Sequence, residues 1–100
     1  MTIDIKNENG VVTIALEGRL DTNAAPEFEK TVEEVLVEGV HSFVLDMESC
    51  LYVASSGLRI ILGAQKKMNK LKGDMVVKNV SDDVMDVFEM TGFVDILTIE

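Results

Sequence analysis

The sequence predicts a single α/β domain spanning residues 1–100, with a mixed, mostly parallel five-stranded sheet and three helices. Three observations predict it. Apolar and polar residues alternate in "TIDIKN" and "VVTIALE", the period of strands. Apolar residues recur at helical spacing in three later segments. Short apolar runs, "SFVLDM", "DMVVKN" and "VDILTI", follow those segments in turn. The order is therefore β-β-α-β-α-β-α-β. Strands alternating with helices imply parallel neighbours joined by right-handed crossovers.

The first two strands flank "NENG", whose Asn9-Gly10 pair is a hairpin signal, so they are antiparallel neighbours. Gly18 is the expected end of the second strand. Thr22 or Asn23 can cap the first helix, and Pro26 suits its first turn. Phe28, Val32, Val35 and Leu36 share one face of that helix, and Gly39 stops it. "SFVLDM" reads as a strand buried on both faces, with "ESCLYVA" as the connection after it. The second helix runs from about Ser55 to Lys70, and Gly73 follows. "DMVVKN" is the fourth strand. Ser81 can cap "DDVMDVFEMT", where two aspartates in the first turn suit the helix dipole. Gly92 ends that helix, and "VDILTI" is the expected fifth strand.

Composition excludes several classes. The net charge of −9 is the wrong sign for a phosphate-backbone binder, and it disfavours anionic membrane surfaces. No apolar run is long enough to insert in a membrane. The single cysteine, Cys50, cannot form an intramolecular disulfide, which suits a reducing compartment. "MTIDIKNENG" has no signal pattern. The expected location is the cytoplasm.

In open α/β sheets, ligands and partners meet the carboxyl ends of strands. Here that pole collects Asp21, Glu48, Ser55 and Asn79. Within "YVASSGLRII", two hydroxyls sit between apolar runs. One reading makes Ser55 or Ser56 a helix cap, worth about 1 kcal/mol. The other makes one a phosphorylation site, because a helix start tolerates added anionic charge.

Two chemical rivals are weak. A serine nucleophile needs a base. The sole histidine, His41, begins the third strand, roughly 20 Å from Ser55 at ~3.3 Å per residue. Asp21 and Glu48 are too few to argue for Mg²⁺. No catalytic residue, metal or cofactor is expected.

The second helix carries a wide apolar arc: Leu58, Ile60, Ile61, Leu62, Ala64, Met68 and Leu71. Part of it is expected to stay exposed as a docking strip, rimmed by Arg59, Lys66, Lys67 and Lys70. The competing reading is a wide core face beside a solvated one.

"GRLDTNAAPEFEK", "FVLDMESCLYVASSGLRIIL" and "VSDDVMDVFEMTGFVDILTI" resemble the STAS domain, specifically the free-standing bacterial anti-sigma factor antagonists. The strongest element is the aromatic, two-residue, Ser, small, Gly, Leu pattern from Tyr52 to Leu58. The resemblance implies a regulatory phosphoserine at Ser55, with Ser56 as fallback acceptor. It implies a partner surface of Asp21, Thr22, Ser55, Ser56, Gly57, Leu58, Arg59 and Ile60. The implied partner is an anti-sigma factor that is also a serine kinase, with a phosphatase to reset the switch. The chain departs from the family in having Ala54, where Asp or Ser often precedes the acceptor. It also lacks the final helix many relatives carry, which would leave a flank open to self-association. Alternatives within the fold are an accessory subunit of a lipid or anion transport system, a scaffold that is never phosphorylated, and a nucleotide binder.

Overall fold

A computed structural model describes residues 1–100. The elements are β1 (Thr2–Glu8), β2 (Val11–Leu20), α1 (Ala25–Val35), β3 (Ser42–Val53), α2 (Ser55–Lys70), β4 (Asp74–Lys78) and α3 (Asp82–Thr91). A 3₁₀ turn, Phe93–Asp95, follows. The sheet has four strands in the order β1-β2-β3-β4. β1 is antiparallel to β2, and β2, β3 and β4 are parallel. Asn9 (φ 53) and Gly10 (φ 81) both take the left-handed conformation that the first hairpin needs.

The fifth strand expected from "VDILTI" does not form. Gly92 caps α3 in the left-handed conformation and turns the chain. Phe93 then stacks on Phe88, with centroids 6.4 Å apart. The amides of Asp95, Ile96 and Leu97 bond back to Gly92 and Phe93, so turns consume donors that a strand would need. Leu97 is buried, and only then does the chain run beside β4. Val77 donates to the Thr98 carbonyl and accepts from Glu100, leaving a single bridge to Ile99.

All the fully buried strand residues lie on one face. Val12 faces Phe43, which faces Met75; Ile14 faces Leu45, which faces Val77. Phe28 and Val32 of α1, Ile61 and Met68 of α2, and Val84 and Phe88 of α3 complete the same core. The other face carries Thr13, Ala15, Val44, Asp46 and Val76, all half-exposed. The expectation that β3 is buried on both faces is therefore corrected. Both crossovers fold to one side because three consecutive parallel neighbours, β2, β3 and β4, run in chain order.

α2 also departs from expectation. Leu58, Ile60, Ile61, Ala64 and Met68 are all buried, and Leu62 and Leu71 are half-buried. The helix packs on α1 as well as on β3 and β4, and two packing partners consume a wide arc. No apolar docking strip remains along it. No helix of the structure is long and apolar enough to cross a membrane.

Candidate functional site

The carboxyl edge of the sheet is stepped. β4 stops pairing at Lys78, opposite Asp46, whereas β3 continues beside β2 to Val53. "ESCLYV" is thus strand, not connection. Nor does Gly18 end β2. The β2–β3 register shifts twice, between Ala15 and Glu17 and between Gly18 and Arg19. At each shift β3 has one residue more than β2, the signature of a bulge. Gly18 has φ +106, a conformation that suits glycine at such an irregularity. The Glu48 amide donates to the Asp46 carboxylate at 3.0 Å within the first bulge. At the second, Leu51 is 68% exposed.

The step divides the residues that the sequence places at one pole. Asn79 donates from Nδ2 to the Asp46 carboxylate at 3.1 Å, on the lower step with Glu48. Asp21 and Ser55 lie on the upper step. The Ala54 amide donates to the Leu20 carbonyl at 2.9 Å, and Asp21 and Ser55 each follow one residue beyond that bond. No group of three or more His, Cys, Asp or Glu side chains could hold a metal.

Asp21 has a definite local task. Its carboxylate accepts the amides of Asn23 (3.1 Å) and Ala24 (2.9 Å), and its carbonyl accepts Ala24 and Ala25. It orders the turn into α1, so neither Thr22 nor Asn23 caps that helix; the N-cap is Ala24, with no side-chain bond. Thr22 is exposed beside this turn.

The two serines separate cleanly. Neither caps α2, whose N-cap is Ala54 with no side-chain bond. Ser55 is the first helical residue and is exposed. Ser56 Oγ is sealed from solvent and has no hydrogen-bond partner. An unsatisfied buried hydroxyl costs about 1–3 kcal/mol, and a kinase cannot reach it. Burial of this oxygen argues against Ser56 as the fallback acceptor expected from the sequence.

Gly57 explains how the helix starts so close to β2. A Cβ there would lie 2.7 Å from Leu20 Cγ and 3.2 Å from the Leu20 carbonyl oxygen. Its missing side chain lets the first turn of α2 seat on the end of β2. Leu58 (6% exposed) and Ile60 (7%) point into the core. Of the predicted partner surface, Thr22, Ser55 and Arg59 are exposed, Asp21 is half-buried, and Gly57, Leu58 and Ile60 serve as support.

Exposed apolar side chains at this end of the sheet come from β3 instead. Leu51 and Tyr52 (39% exposed) are the exposed ones near the end of β3, and the Arg19 guanidinium lies 4.3 Å from the Tyr52 ring centroid. The second bulge puts them there, and a bulge breaks the alternation by which a strand is read, so Leu51 and Arg19 gave no periodic signal. Arg59, one turn beyond Ser55, supplies positive charge near a helix start whose first amides have no side-chain acceptor.

Cys50 is not a reactive group. It is buried, and burial pushes its thiol pKa up; its Sγ donates to the Tyr52 carbonyl at 3.5 Å. His41 is exposed at the start of β3, with Nε2 3.0 Å from the Asn9 carbonyl oxygen, at the far end of the strand from Ser55.

This arrangement has relatives. The chain is similar to BtrV of Bordetella bronchiseptica, named as an anti-sigma factor antagonist, at 26% identity over 99% of this chain and 85% of that one. It is 25% identical to an anti-sigma-B factor antagonist of Staphylococcus aureus, over 97% of this chain and 90% of that one. Its fold matches the anti-sigma factor antagonist SpoIIAA of Bacillus in its unphosphorylated form, with TM-score 0.79 and 20% identity over 99% of this chain and 87% of that one. The phosphorylated form of SpoIIAA gives TM-score 0.78 at 20% identity, over 99% of this chain and 91% of that one. The family model for the STAS domain matches residues 2–100, and this chain belongs to that family.

Proposed function

We propose that this chain is an anti-sigma factor antagonist whose contact with an anti-sigma factor serine kinase is switched off by phosphorylation of Ser55. The observation that carries the proposal is the contrast between the two serines: Ser55 is exposed and Ser56 Oγ is sealed. Only one of the adjacent hydroxyls is open to a kinase. Leu51, Tyr52, Thr22 and Arg59, on or beside the elements that end or begin at this pole, are exposed as Ser55 is.

Phosphorylation adds about −1.5 to −2 charges at that point. The helix survives, because its first amides and Arg59 one turn on favour the anion. A docked partner does not, because the new charge must be desolvated inside the contact. The kinase brings ATP and Mg²⁺, so the chain acts as a binding protein and needs no cofactor of its own. A phosphoserine phosphatase resets it. The chain then works in the cytoplasm, with its kinase.

The chain is mixed with its kinase and ATP and weighed intact. We expect one phosphate on the wild type and on Ser56→Ala, and none on Ser55→Ala. Phosphate on Ser55→Ala, or none on the wild type, overturns the assignment.

A further inference from the structure

β1 ends the sheet, and its outer edge is unpaired from Thr2 to Glu8. The opposite edge, on β4, is partly covered, because Val77 bonds to both Thr98 and Glu100. A long open edge is a template for another strand. Natural edges are guarded by charge, and β1 carries Asp4, Lys6 and Glu8. These three charges do more than guard, because they select one mate.

We propose that β1 is a homodimer interface, in which two copies pair their β1 edges antiparallel about Ile5. In that register Ile5 meets Ile5 on the two-fold axis. Asp4 of each copy faces Lys6 of the other, twice by symmetry, and Thr2 faces Glu8. A two-fold contact of this kind closes on itself and stops at two chains.

The charges argue for this register against its neighbours. A sheet continuous across both copies requires residues of the same parity to face each other. Sliding by one such step in one direction puts Asp4 opposite Asp4. Sliding the other way puts Lys6 opposite Lys6 and Asp4 opposite Glu8. Directly opposed like charges destabilise a strand pair, and opposite charges support it. Full-length pairing about Ile5 is free of like-charge opposition.

The side-chain placement fits as well. β1–β2 pairing puts Asp4 opposite Ala15 and Lys6 opposite Thr13, on the sheet face no helix covers. Both charged chains have room there to meet across the axis. Ile5 pairs with Ile14 on the helix side, yet it is 47% exposed. The second Ile5 would cover that surface. Because the strands of the two copies then run in opposite directions, their Ser55 poles face apart and both stay free. The inference stands independently of the Ser55 switch.

The test is the sedimentation of the purified chain over a range of concentrations. We expect a concentration-dependent dimer. Lys6→Asp and Asp4→Lys each create two like-charge pairs and should raise its Kd about tenfold or more. Mixing these two variants restores complementary pairs between unlike chains, at the same total charge as the wild-type pair. The mixture should dimerise as the wild type does, while each variant alone does not. Both changes lie on exposed side chains, and unchanged circular dichroism would show that the fold is kept. A wild type that stays monomeric to its solubility limit overturns the proposal. So does a single variant that dimerises undiminished, or a mixture that stays as weak as its components.

Discussion

Ser55→Asp is expected to weaken binding to the anti-sigma partner about a hundredfold, a cost of about 2.8 kcal/mol at 1.4 kcal/mol per decade. Ser55→Ala is expected to bind within about fivefold of wild type, since it removes only an exposed neutral hydroxyl whose net bond is worth about 1 kcal/mol or less. The asymmetry is the point. If the contact used the Ser55 hydroxyl as a bonding group, both variants would lose affinity alike. If it used the site only as a place where charge matters, Asp alone would lose it. Ser55 is exposed at the first residue of α2, so a partner docked on this pole dries position 55. A carboxylate there enters the contact without a designed mate. Titration calorimetry with the partner checks both variants. The thermal stability of Ser55→Asp should be close to that of wild type, because an anion at a helix start is favourable by about 0.3–1 kcal/mol.

Phe43→Ala is expected to cost about 3–5 kcal/mol of stability, a large share of the 5–15 kcal/mol typical of a whole domain. Phe43 is fully buried at the centre of the sheet, between Val12 and Met75. Its neighbour Val44 faces the uncovered side, and Val44→Ala is expected to cost no more than about 1 kcal/mol. Urea denaturation of the pair measures how one-sided this sheet is. Equal losses at both positions would mean that something covers the second face.

That contrast also marks where the sequence was legible. The hairpin at Asn9-Gly10, the apolar face of α1, the span of α2 and the Ser81 cap all follow from local rules. Ser81 Oγ accepts the Val84 amide at 3.3 Å, and Gly92 ends α3 in the left-handed conformation, as read. The features that went unread depend on how the elements pack and turn in three dimensions. "SFVLDM" looks two-sided because Val44 is apolar, but burial is decided by which face receives the helices. "VDILTI" alternates like a strand, but the stacking of Phe93 on Phe88 and the turn bonds behind it settle its shape. The arc on α2 looks too wide for one core only because α1 is invisible from α2's own sequence.

The candidate site follows the same division. The pattern from Tyr52 to Leu58 singles out the serines, and burial separates Ser55 from Ser56. Asp21 was placed beside them, but its work in holding the Asn23 and Ala24 amides appears only in three dimensions. Glu48 and Asn79 were placed at the same pole. They fall on the lower step because β3 outruns β4, a length difference hidden by two bulges.

The most direct measurement compares the chain before and after its kinase has placed one phosphate on Ser55, each titrated into the same anti-sigma factor. The unmodified chain should bind, and the phosphorylated chain should bind at least about a hundredfold more weakly. Equal affinities would contradict the account, because charge at position 55 would then have no hold on what docks there.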